Sequence, residues 1–186
     1  TTDSTEYQAY MKYAKKASDG SYEAKSVAEL ADIIQAEANA KAKEVENLTK
    51  QLEENKKAQK EIKDKYTDTD GNLTLETADE LKNAIEEKKE TLKTNEERLK
   101  AIEEELASDG ITDDIKAQLE EEKTTLEEAN KNLKEEQTTL EGRLADRNKL
   151  DELTTKHTEI ENSINSASEY FTTNEADDGT ITITAT

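Results

Sequence analysis

Apolar residues recur along this chain at alternating steps of three and four, the spacing that lines one face of an α-helix and, when sustained, makes a coiled-coil seam. From Val27 to Tyr66 the seam positions are Val27, Ala31, Ile34, Ala38, Lys41, Val45, Leu48, Leu52, Asn55, Gln59, Ile62 and Tyr66. A second run keeps the alternation without a slip through Ala78, Leu81, Ile85, Lys88, Leu92, Asn95, Leu99, Ile102 and Leu106. A third holds Ile115, Leu119, Leu126, Ala129, Leu133 and Leu140, then resumes in a new phase at Leu150, Leu153, His157, Ile160, Ile164, Ala167 and Phe171. Leu140 to Leu150 is ten residues rather than seven or fourteen, so the repeat stammers around "EGRLADRN", where a bend or a change of partner is expected.

The breaks between the runs carry helix-end chemistry. Ser26 with Glu29 three residues on is a capping box for the first helix, and Thr74 or Thr77 stands ready to cap the second. "SDG" at 108–110 ends the second helix, because Gly110 takes the left-handed conformation at no steric cost. Thr112 then caps a third helix whose first turn carries two carboxylates at the positive end of its dipole. The pattern predicts helices over about 26–66, 77–107 and 112–171.

At 1.5 Å per residue the third helix spans roughly 90 Å, close to the first two laid end to end. Two arrangements satisfy these lengths. In one, the chain runs out through the first two helices and returns along the third as a long antiparallel coiled-coil hairpin, which sets the 67–76 break opposite the slip at 142–147. In the other, the second helix folds back on the first as a three-helix bundle. The long hairpin is the expected form. Residues 1–25 make a cap segment in which Tyr7, Tyr10, Met11 and Ala14 suit a short amphipathic helix, and 173–186 form a C-terminal strand or tail with Ile181 and Ile183 alternating with Thr. Such a strand needs a partner for its amides, from "NLTLE" at 72–76 or from a neighbouring copy, unless it frays.

Composition narrows the class. Of 186 residues 31% are apolar and 39% charged, with no Trp and no Pro, too little for an ordinary globular core and enough for a thin helical architecture. A net charge of −20 makes nucleic acid a poor partner, since each phosphate contact begins with repulsion rather than counterion release. Glu and Lys alternate at helical spacings such as Glu46 with Lys50, the mark of a solvated face. Without cysteine there is no disulfide, thiolate metal site or thiol nucleophile. No apolar run is long enough to insert in a membrane, and the first residues lack a signal peptide's apolar centre. The chain opens on Thr rather than Met, which suggests a processed or excised product.

One stretch, "YTDTDGNLTLE" at 66–76, carries a partial calcium-loop pattern. Counted from Asp68, oxygen-bearing residues fall at Asp68, Asp70 and Asn72, and Asp79 takes the closing position. Leu73 sits where glycine is wanted and Asp79 is shorter than the usual Glu. An Asp-Gly turn in which side-chain oxygens satisfy local amides is the expected form, and no metal ligand is assigned. His157, the only histidine, falls on the seam between Leu153 and Ile160, with no nucleophile at a usable spacing on that face. Carboxylate pairs such as Glu103 with Glu104 have no pocket to separate their pKa values. No catalytic or cofactor-binding residue is assigned, and neither an enzyme nor a small-molecule substrate is expected. Lys41, Lys88, Asn55, Asn95 and Gln59 interrupt the seam, as partner specifiers or as side chains that snorkel to water.

The chain is therefore expected to be an all-α structural and interaction protein, a coiled-coil rod or spacer subunit of an extracellular or particle-associated assembly, with self-association as the expected partnership. A soluble adaptor or chaperone-like protein whose helical arms bind a client is the alternative. Acidic hairpins capped by terminal elements resemble in outline the tip and filament proteins of type III secretion systems and phage structural subunits, and no motif in this sequence fixes either family.

Overall fold

The structure is a computed structural model that describes residues 15–16, 22–23, 26–177 and 179–186. The short helix expected around Tyr7 to Ala14 lies outside the described residues. The elements are strands β1 (Lys15–Lys16) and β2 (Tyr22–Glu23), helices α1 (Val27–Lys65), α2 (Ala78–Leu106) and α3 (Asp113–Ser168), and strands β3 (Phe171–Glu175) and β4 (Ile181–Ala185). Most of the chain is helical, and the strands form two antiparallel pairs, β1 with β2 and β3 with β4. No helix among the described residues is long and apolar enough to cross a membrane.

Local chemistry sets the helix ends. Ser26 N–H donates to Glu29 Oε2 at 2.8 Å while Glu29 N–H returns a bond to Ser26 Oγ at 3.2 Å, so two of the orphan amides of α1 are satisfied reciprocally. Thr77 and Glu80 form the same capping box on α2, which settles the choice between Thr74 and Thr77. Gly110 has φ +94°, and Ile115 N–H donates to Thr112 Oγ1 at 3.4 Å to open α3.

From Ile34 onward the expected seam positions of α1 are all buried or half-buried, as are those of α2, while the first two, Val27 and Ala31, stand in solvent, Val27 at 84% exposure. A heptad position is buried only where a partner covers it. α3 runs unbroken through Gly142, and it ends at Ser168 rather than at 171. Phe171 therefore leaves the helical seam: Tyr170 N–H closes the last turn on Ala167 O at 3.3 Å, and Phe171 pairs with Ala185 in the β3–β4 ladder. The β-branched Thr172 and Thr173 that follow favour the extended form.

The C-terminal strand likewise pairs within the chain with a different segment from the one expected. β4 pairs with the segment just before it, in the register Phe171↔Ala185, Thr173↔Ile183 and Glu175↔Ile181, and not with 72–76. A local hairpin costs less loop-closure entropy than a strand about a hundred residues away. Its turn closes through Ala176 N–H to Thr180 O at 2.9 Å, with Gly179 at φ +81°. Leu73, from the rejected partner segment, instead bridges to Thr67 within its own loop.

The chain divides into two compact units, Lys56–Thr155 and the combination of Thr1–Asn55 with Lys156–Thr186. In the first unit Ile62, Leu75, Leu81, Leu150 and Leu153 form an apolar cluster, with Ala58, Tyr66, Leu140 and Leu144 packed around it. Ile85, Leu92 and Ile102 of α2 and Leu119 of α3 are also buried there. Leu81, at 1% exposure, is worth about 1.5–3 kcal/mol of apolar burial. In the second unit the buried positions are Ala38, Leu52, Asn55, Ile160 and Ala167.

Candidate functional site

Residues 66–76 fold as a joint built on hydrogen bonds from its own residues. Tyr66 N–H and Thr67 Oγ1 both donate to Lys63 O, at 3.0 and 2.7 Å, and finish α1. Asp68 N–H donates to Asn72 O at 2.9 Å, and Thr74 donates to Tyr66 O through both N–H and Oγ1 at 2.7 Å. Gly71 occupies the tip at φ +86°, a conformation that side chains avoid. The Asp68 carboxylate turns inward and accepts from Asn72 N–H at 2.7 Å, Asp70 N–H at 3.0 Å and Asn72 Nδ2 at 3.3 Å. Those bonds, the Asn72 amide first, hold its pKa below the usual aspartate value.

This is the Asp-Gly turn expected from the sequence, and the residues of the calcium pattern serve separate ends. Asp68 caps the loop's amides, while Asp79 stands exposed in the first turn of α2, with Lys82 Nζ 3.5 Å away. Among the described residues no three His, Cys, Asp or Glu side chains gather as a metal-holding set.

The joint is clamped by α3 through residues from the stammer. Arg143 donates twice to Glu76 Oε2, at 2.6 and 2.9 Å, and once to Thr74 O at 2.8 Å, while its guanidinium lies over the Tyr66 ring, 4.9 Å from the centroid. Tyr66 Oη donates to Asp146 Oδ2 at 2.7 Å, and Lys65 adds an ion pair at 3.3 Å. The Tyr66 hydrogen bond lowers the Asp146 pKa and raises that of Tyr66. Glu76 is held below the usual glutamate value by its own backbone N–H and then by Arg143.

Comparison with protein-family models, with curated proteins and with solved structures finds no match to this chain.

Within the same unit α3 changes partner at the stammer. Before it, α2 and α3 meet through Lys88–Glu136, Asn95–Asn130, Arg98–Glu122 and Glu103–Lys123, so that the partners on α3 fall from Glu136 to Glu122 and Lys123 as those on α2 rise from Lys88 to Arg98 and Glu103. Within it Tyr66 reaches Asp146, and after it Gln59 of α1 donates to Leu153 O at 3.4 Å. A seam whose partner changes must change phase, which explains the ten-residue step. Arg98 and Glu122 are bidentate, at 2.7 and 2.8 Å, and hold the α2–α3 register beside Asn95 Nδ2 donating to Asn130 Oδ1 at 2.8 Å.

The polar seam residues divide by chemistry. Lys41 and Lys88 bring their ammonium groups to Glu44 and Glu136, so both snorkel. The amides Asn55 and Asn130 are buried, at 5% and 6% exposure. Asn130 escapes a reading that takes Ala129 as the seam residue, although Leu126, Asn130 and Leu133 keep the same alternation of four and three. Arg143 and Asp146 have no such signal, because nothing in "EGRLADRN" names a loop almost seventy residues away as their partner. His157 lies at the seam edge as expected, with Nε2 3.1 Å from Glu161 Oε1 and Nδ1 buried without a hydrogen-bond partner. The depressions between α2 and α3, lined by residues such as Glu96, Leu99 and Lys134, are open troughs.

Proposed function

We propose that this chain is a structural and interaction protein, a coiled-coil rod or spacer subunit of an extracellular or particle-associated assembly. The observation that carries this reading is the antiparallel partner order on α3, which takes α2 from Lys123–Glu103 to Glu136–Lys88 and then the last turns of α1 at Asp146 and Leu153. On this proposal α1 and α2 succeed one another along α3 as one long hairpin, and the clamped joint passes load between them. Its chemistry is that of a surface: solvated carboxylates, cross-helix ion pairs and open troughs.

Two measurements test the two parts. In this cysteine-free chain, spin labels on cysteines placed at the exposed Lys50 and Ser163 report a short distance for the hairpin, and a long one sinks it. Sedimentation over a micromolar concentration series shows self-association for a subunit. A sedimentation coefficient that never changes with concentration removes the subunit role.

A further inference from the structure

The β3–β4 hairpin has one covered edge and one open edge. Tyr170 O accepts from Thr186 N–H at 3.2 Å and Ala176 N–H donates to Thr180 O at 2.9 Å, so the even-numbered residues of β3 and β4 exchange the ladder bonds. The peptide groups of odd-numbered residues therefore point away from the ladder. On β4 they meet Gln35 of α1, whose Nε2 donates to Ile183 O at 2.8 Å and whose Oε1 accepts from Ala185 N–H at 3.4 Å. One side-chain amide thus supplies the donor and acceptor that a neighbouring strand would supply.

On β3 the outward groups belong to Phe171, Thr173 and Glu175, and no residue among those described bonds to them. The strand is lightly guarded for an edge: its five residues, Phe-Thr-Thr-Asn-Glu, include no Lys, no Pro and no bulge, and its one charge, Glu175, stands at its end.

We propose that the outer edge of β3 is a pairing surface for the same strand of a second copy, giving a four-stranded antiparallel sheet with Thr173 on the two-fold axis. This rests on the subunit role proposed above and names the surface that fulfils it. The edge is self-complementary. With Thr173 opposite Thr173, Phe171 falls opposite Glu175 of the second copy and all three outward residues are in phase, which makes about six new hydrogen bonds. Thr opposite Thr is a favourable cross-strand pair. No like charges face each other, since the two Glu175 residues are four positions apart along the sheet, about 13 Å. Because each chain carries a net charge of −20, the contact forms more readily as salt rises.

The absence of cysteine gives a direct test on the full chain. Thr173→Cys forms a disulfide-linked dimer on mild oxidation, because facing Cα atoms of a hydrogen-bonded pair lie about 5.5 Å apart. Glu175→Cys does not, its distance being about twice what a disulfide spans. Thr173→Pro removes an outward N–H without touching the β3–β4 ladder, and it shifts sedimentation to the monomer with unchanged circular dichroism. Self-association that survives Thr173→Pro, or cross-links equally at 173 and 175, overturns the edge inference and leaves the subunit role standing. A wild-type chain that stays monomeric at high salt overturns both, and an unrelated extended peptide found on the edge of that monomer replaces the second copy as occupant.

Discussion

The helical turn between α2 and α3 and the β3–β4 hairpin both double the chain back at close range, and the two turn-backs are held by different chemistry. α2 and α3 satisfy their backbone groups internally and meet through side chains: buried Leu and Ile, the Asn95–Asn130 bond and the bidentate Arg98–Glu122 pair. What this leaves outside is carboxylate and ammonium, which water solvates. The strand hairpin is held by peptide groups with little apolar cover, Ile181 being 62% exposed, and half of its peptide groups point outward. On the proposal above, the surface that meets a second chain lies in a sparsely charged, non-helical segment of a strongly acidic helical protein.

Truncation separates the two regions most sharply. Leu81→Ala costs about 3 kcal/mol, whereas Ile183→Ala in the half-exposed hairpin costs less than about 1 kcal/mol, both read from urea unfolding. Similar losses at the two sites would mean that the hairpin has a core of its own. Next is the polar layer. Asn95→Leu strands the buried Asn130 amide and costs about 1–3 kcal/mol, while Asn95→Leu with Asn130→Leu is near neutral, a non-additivity that a double-mutant cycle reveals. A double loss equal to the sum of the two single losses would show that the bond carries no coupling.

Removing the α2 cap by Thr77→Ala costs about 1 kcal/mol and lowers the melting temperature by a few degrees. Smaller still is the pH response of the joint. The Asp146 pKa is depressed below 3.8, so its contribution is fully present above that value and fades as pH falls through the folded pKa. The Tyr66 pKa is raised above 10.0, so its contribution is complete below pH 10.0 and fades as pH rises through the folded pKa. Asp146→Asn therefore flattens the acid limb of a melting profile, and Tyr66→Phe flattens the alkaline one. The smallest effect is that of millimolar calcium, expected to leave the melting temperature unchanged because Asp68 already caps its own loop; a rise abolished by Asp68→Ala with Asp70→Ala would reverse that assignment.

The features legible from the sequence are those whose cause lies within a few residues. The three-and-four spacing names the apolar face of each helix, Ser26 with Glu29 and Thr77 with Glu80 cap their own first turns, and Gly71 and Gly110 take the conformations their turns require. Tertiary structure decided which partner covers each face. It left Val27 and Ala31 in solvent, chose Asn130 to meet Asn95, brought Arg143 and Asp146 onto the joint, closed β4 with Gln35 and turned Phe171 from helix into strand. The physical reason is range: capping and periodicity act over one or two turns of chain, whereas the partner of a buried amide or an edge peptide is set by whichever distant segment packing brings within hydrogen-bond reach.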